Sequence, residues 1–173
     1  MIFSITAAFH RVTDITPGVL ERMGVKGLIL DIDNTLTTHD NPVPAEGVEE
    51  WLRSVKQSGI SAVIVSNNHE PRVKPFADLL GLDYVCEGAK PLKKGYAEAA
   101  EKLGLPKEQI AAVGDQIFTD VAGANIYGIK MLFVEPIEKE PAEQRFIRFK
   151  RVLEKPFLPR KVYRRNPEKE RKI

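Results

Sequence analysis

The chain has 173 residues with 43% apolar and 29% charged positions, enough to bury one core without staples. Cys86 is its only cysteine, which excludes an internal disulfide and any metal site built on several thiolates; with no spanning stretch and no signal-peptide pattern, the reading is cytoplasmic. The net charge of +2 hides a split: residues 1–140 hold 14 Lys+Arg against 20 Asp+Glu, whereas residues 141–173 hold 12 against 4. The expected organisation is an acidic body (1–140) and a basic, partly helical tail (141–173) suited to an anionic partner.

In chain order, "GLILDI" (27–32) is a continuous apolar run, as in a parallel strand buried on both faces. "PAEGVEEWLRSVKQSG" (44–59) places Val48, Trp51, Leu52 and Val55 at helical spacing and ends in a glycine stop. "SAVIVS" (61–66) reads as a second buried strand. "EPRVKPFADLLG" (70–81) reads as a helix despite Pro75. A short strand at "DYVCE" (83–87), a helix at "LKKGYAEAAEKLG" (92–104) and a strand at "IAAVGD" (110–115) follow. "TDVAGANIYG" (119–128) is a short helix and "KMLFVE" (130–135) a fifth strand. Strands alternating with helices predict an α/β fold: a Rossmann-like, three-layer parallel sheet with ligands at the carboxyl ends of its strands.

Those ends are polar. The first strand stops at Asp31 and Asp33, the second at Ser66, Asn67 and Asn68, and the fourth at Gly114 and Asp115, with Asp120 following. Lys90 lies in the loop after the third. Neighbouring carboxylates repel, and burying them needs a compensating cation. Hard oxygen ligands suit Mg²⁺ together with a substrate phosphate. A carboxylate is also a competent nucleophile, and a second one two residues on can donate and recover a proton. Read blandly, Asp31 and Asp33 order a turn, Asp115, Asp120 and Ser66 cap helices, and Lys90 is a solvated loop residue. Convergence on one sheet edge favours an assembled site.

"DIDNTL", "VIVSN", "AKP" and "GDQIFTD" resemble, in order and spacing, the four motifs of haloacid dehalogenase-like phosphatases, over about residues 25–135. The resemblance implies Asp31 as nucleophile, Asp33 as general acid/base, Ser66 as phosphate binder and Lys90 as charge clamp. It implies Mg²⁺ held by Asp31, the Asp33 backbone carbonyl and Asp115, with Asp120 assisting. Asn34, Thr35, Asn67 and Arg72 are expected near the substrate, though Arg72 fits a solvated helix face as well. "DITPGVLERMGVKGLILDIDNTL", "SNNHEPRV", "AKPLKKGY" and "GDQIFTDVAGAN" look like the YqeG branch, related to phosphatidylglycerophosphate phosphatases. The intervals between motifs leave no room for a large cap domain, so the site is expected to be open, or closed by a second subunit. "TTHDNP" is read as a small flap, with His39 either on the substrate or facing solvent, and Trp51 as packing.

The resemblance implies an Mg²⁺-dependent phosphatase acting through an aspartyl-phosphate, with phosphatidylglycerophosphate preferred. The alternatives are a phosphatase of soluble sugar or nucleotide phosphates, and an RNA- or protein-binding factor with weak catalysis. In the tail, Phe146, Phe149 and Leu153 fall near one helical face among Arg145, Arg148 and Arg151. Such a helix either lies on an anionic membrane or packs its apolar face on the body. Aromatics spaced for base stacking are not evident, which disfavours nucleic acid. Every expected site residue precedes residue 141, so a tail that serves only to hold lipid should be removable without loss of activity on a soluble ester, whereas a tail packed on the body should not.

Overall fold

Strands that are apolar at successive positions need cover on both faces, and these have it. In the computed structural model, which describes residues 1–138 and 145–163, six strands form one wholly parallel sheet. They are β1 (Ala7–Phe9), β2 (Gly27–Leu30), β3 (Ser61–Val65), β4 (Asp83–Val85), β5 (Ile110–Gly114) and β6 (Lys130–Val134), in spatial order β1-β6-β5-β2-β3-β4. Along β2, Leu28 and Leu30 face one layer and Ile29 the other. The first layer packs on α1 (Pro17–Arg22), α2 (Val48–Gln57) and α3 (Glu70–Leu80) through Leu20, Trp51, Leu52, Val55, Val73 and Phe76. The second packs on α4 (Lys93–Leu103) and α5 (Ala122–Tyr127) through Tyr96, Ala99 and Ala124. A period of two along the strands thus splits one apolar run into two cores.

The register sets the strand ends level. Leu30 is paired with Ile64 on one side and Val113 on the other, and the Asp31 amide continues the ladder to the Val113 carbonyl at 3.0 Å. From β2 the chain builds outward through β3 and β4, then crosses back to place β5 on the other side of β2. Asp31 and Asp115 therefore stand at the point where the winding reverses, the usual crevice of such sheets.

Three elements differ from expectation. The chain has a sixth strand, β1, three residues long, paired with β6 on one side and bridged by Tyr163 on the other, and a short helix, α1, ahead of β2. The segment expected as one short helix over 119–128 opens instead with a π-helical turn, Ile117–Val121, before α5. No cap domain interrupts the described residues: only α3 and β4 lie between Ser66 and Lys90.

The tail is partly joined to the body. A helix α6 (Arg145–Glu154) packs near the π-helical turn, and Tyr163 bridges to the sheet edge beside β1. Phe149 is 59% and Val152 56% exposed, with Leu153 exposed too, while Glu154 is buried at 1%. Packing of that apolar face on the body, one of the two expectations, is therefore not what is seen for Phe149 and Leu153. The Phe146 side chain, residues 141–144 and residues 164–173 lie outside the described residues.

Candidate active site

Lys90 organises the centre. Its ammonium donates to Asp31 Oδ1 and, at 2.7 Å, to Asp120 Oδ1. Asn67 clasps the backbone of the same residue, accepting from Lys90 N at 2.7 Å and donating to Lys90 O at 3.1 Å. The Lys90 loop also closes on the start of α4, where a Cβ on Gly95 would fall 2.5 Å from the Gly88 carbonyl oxygen. Asp120 projects from the π-helical turn, and its other oxygen accepts from Gln116 N at 3.1 Å. A Cβ on Gly114 would meet the Asp120 carboxyl carbon at 2.4 Å, so only glycine at the end of β5 lets this carboxylate lie there.

The second aspartate is held on the flap side. Asp33 Oδ1 accepts from Arg72 Nη2 at 3.0 Å and from the Asp40 amide at 3.2 Å, and its Oδ2 accepts from Asn68 Nδ2 at 2.7 Å. Arg72 also donates to the Asn41 carbonyl at 3.1 Å, tying α3 to the flap. Thr35 donates to Asp31 Oδ2 at 3.3 Å. The buried Ser66 hydroxyl accepts from the Asn68 amide at 3.1 Å, shaping the turn that follows β3. Asn34, at φ 62°, accepts from the Glu138 amide at 3.2 Å and so anchors the segment after β6. His39 faces Asp40 at 3.3 Å. Trp51 is buried and donates to the Ile15 carbonyl at 2.7 Å, as packing requires. Thus Asp31, Asp33, Thr35, Arg72, Lys90, Asp115 and Asp120 gather at the carboxyl ends of the central strands, whereas the Asn34 and Asn67 side chains bond neighbouring backbone.

Asp31, Asp115 and Asp120 each offer a carboxylate oxygen within 4.8 Å of the others. Burial pushes the Asp31 carboxyl up to about 7; Lys90 opposes this, and Asp120 and Asp33 add to it. Burial likewise raises Asp115 well above the usual carboxylate range, against the pull of Arg151. Burial disfavours the Lys90 ammonium, but Asp120 and Asp31 outweigh it and hold its pKa well above the ordinary lysine value. Lys90 and Arg151 together set two positive charges against the three carboxylates, which leaves negative charge uncompensated. Asp115 Oδ1 is buried and has no hydrogen-bond partner, an expensive state for a carboxylate oxygen. Hard oxygen donors, excess negative charge and an orphaned oxygen together fit a divalent cation.

Asn68 was read among the polar residues that end the second strand but was given no role; its side chain holds Asp33. Two further residues of this neighbourhood escaped the sequence reading. Arg151 and Glu154 come from α6: Arg151 grips the Asp115 carboxylate and donates to its carbonyl at 2.8 Å, and Glu154 accepts from the Phe118 amide at 3.1 Å. These contacts join the tail to the site, so a tail that serves only to hold lipid is not what is seen.

The haloacid dehalogenase-like hydrolase profile matches residues 38–128. Probable phosphatase YqeG of Bacillus subtilis is 39% identical over 145 residues, 83% of each chain. The chain belongs to the haloacid dehalogenase-like hydrolases. Within that family it is also similar to phosphatidylglycerophosphate phosphatase 1 of Chlamydomonas reinhardtii, 33% identical over 68% of this chain and 47% of that protein. A haloacid dehalogenase family hydrolase from Deinococcus radiodurans, solved with bound phosphate and sodium, shares the fold at a TM-score of 0.56 and 15% identity, covering 69% of this chain and 84% of that one. The parallel α/β sheet accounts for that likeness; the site rests on the geometry above.

Proposed function

We propose that the protein is an Mg²⁺-dependent phosphomonoesterase working through a phosphoryl group on Asp31, with phosphatidylglycerophosphate as substrate. The observation behind the reaction class is Lys90 bridging Asp31 and Asp120 beside the unpartnered Asp115 oxygen. The Asp31 carboxylate attacks phosphorus in line, and the bond to the ester oxygen breaks. Asp33 protonates the departing alkoxide, then takes a proton from the water that cleaves the acyl phosphate, which releases phosphate and restores Asp31. Before that, Asp33 exchanges its Arg72 contact for the substrate oxygen; Arg72 is then placed for the phosphoester. Lys90 and Ser66 receive the phosphoryl oxygens, with Asn67 holding the lysine loop in place. Asp31, the Asp33 carbonyl, Asp115 and Asp120 would hold Mg²⁺, which when bound neutralises carboxylates and phosphoryl oxygens alike.

The lipid substrate draws support from three sources. The site has no cap domain among the described residues. The Chlamydomonas relative bears that activity in its name. And α6 turns Phe149, Val152 and Leu153 outward, with Leu158, Arg148 and Lys155 also exposed, while the Phe157 ring packs back on Phe3 and Phe118. A basic helix with an outward apolar edge suits an anionic bilayer surface. No described helix is long and apolar enough to cross a membrane, so the contact would be peripheral, at the cytoplasmic face. The test is phosphate release with Mg²⁺ from vesicle-borne phosphatidylglycerophosphate and from soluble sugar and nucleotide phosphates. Faster turnover of the lipid supports the reading. Preference for a soluble ester overturns the substrate, and failure on every ester overturns the reaction class.

A further inference from the structure

Helix α6 is packed the wrong way round for a tail that merely covers the body. Its apolar edge points out, and Arg151 and Glu154 point in. The guanidinium of Arg151 holds one residue at two points, the Asp115 carboxylate Oδ2 through Nη2 and the Asp115 carbonyl through Nη1 at 2.8 Å. A planar fork spanning side chain and backbone of the same residue fixes its side-chain torsion in a way that a single contact cannot. Glu154 takes the same Nη1 at 3.3 Å and, with its other oxygen, the Phe118 amide at 3.1 Å. Phe118 belongs to the π-helical turn that carries Asp120. The pair Arg151–Glu154 therefore ties together the two segments that deliver Asp115 and Asp120. What this leaves open is Asp115 Oδ1: buried, without a hydrogen-bond partner, and in a residue grouped with Asp31 and Asp120.

We propose that Arg151 is a positioning residue for the metal site: by occupying Oδ2 it keeps Asp115 Oδ1 turned toward the cation. This rests on the metal reading above and extends it to a helix outside the four motifs. Groups that orient a ligating residue typically account for 10–100-fold in metal affinity. The opposite role, a guanidinium competing with the cation for Asp115, predicts the opposite sign.

The test is calorimetric titration of the full chain with Mg²⁺, in wild type, Arg151→Gln, Arg151→Lys and Asp115→Asn, alongside metal-free thermal melts. Arg151→Gln is expected to weaken Mg²⁺ binding roughly 10–100-fold. Arg151→Lys should recover part of that, since an ammonium supplies charge but not the fork. If Arg151→Gln does not fold, Glu154→Gln is read instead: it loosens Arg151 while keeping Asp115 and the guanidinium, and should weaken binding by a smaller factor. Unchanged or tighter Mg²⁺ binding in the folded variant overturns the proposal. Asp115→Asn separates the two layers: if it abolishes binding while Arg151→Gln does not alter it, the metal site stands and only the positioning role falls. If wild type binds no Mg²⁺, both fall.

Discussion

Asp31 is asked to be charged in a place that disfavours charge. Its side chain is largely buried at 12% exposure, that burial pushes its pKa up to about 7, and Lys90 pulls the other way while Asp120 and Asp33 add repulsion. Asp31→Asn keeps the shape and the Thr35 and Lys90 surroundings but has no nucleophilic oxygen anion. Turnover should fall by roughly 10⁴-fold or more, as expected when one member of a concerted covalent set is lost; near-normal phosphate release from a purified variant would remove Asp31 from the mechanism. Stability should move the other way. In metal-free protein the raised pKa means that the folded state binds this proton more tightly than the unfolded chain does. Its contribution is fully present below the ordinary value of 3.8 and is lost as the pH rises toward about 7. In chelator, then, Asp31→Asn should melt near wild type at about pH 4 and clearly above it at about pH 7.5. Melts with a pH-independent gap would show that burial does not charge this cost to Asp31.

At the scale of elements, the close approach of β5 and the π-helical turn is the tightest constraint on the site. Gly114→Ala would drive a methyl into the Asp120 carboxylate, which Lys90 and Gln116 hold in place. A displacement near 1 Å at a catalytic group can cost about 10²-fold, so activity should drop by that order while far-ultraviolet circular dichroism stays unchanged. Steady-state kinetics showing wild-type turnover would mean that Asp120 has slack. The central strands were legible because β2, β3 and β5 are unbroken apolar runs bounded by glycine or polar stops, and the site was legible because its carboxylates sit at those stops. Strand β1 was not: three residues in "TAAFHR" show no alternation, and the strand exists only through pairing with residues about 125 positions away. The π-helical turn gave no signal either, since five residues are too few for a period. Arg151 was hidden for a different reason. Helical periodicity marks which residues share a face, but not whether the body takes the apolar face or, as here, the polar one.

For the whole molecule, the charge split and the outward edge of α6 make one joint forecast. Cosedimentation should be strong with phosphatidylglycerol-rich vesicles and weak with phosphatidylcholine, and it should fade as salt is added, because each basic residue at such a surface contributes about 1 kcal/mol, screened within roughly a Debye length. Phe149→Ser should reduce that binding several-fold without lowering the melting temperature, since Phe149 is already largely exposed. If the same variant instead dissolves a concentration-dependent dimer in sedimentation velocity, the edge serves a second copy and the lipid reading loses its structural support.

The bridge at Tyr163 bears on how the chain comes to be folded. Tyr163 N donates to the Ala8 carbonyl and His10 N to the Tyr163 carbonyl, both at 2.8 Å, so one residue near the far end of the chain covers part of the outer rim of β1. Strand β1 leaves the ribosome 125 residues ahead of its inner partner, β6, and further still ahead of its outer one, Tyr163. Throughout synthesis this strand has both backbone edges unsatisfied, the condition under which strands pair with the wrong chain. Its brevity, together with the flanking His10 and Arg11, limits that hazard until residue 163 arrives and the rim is partly sealed.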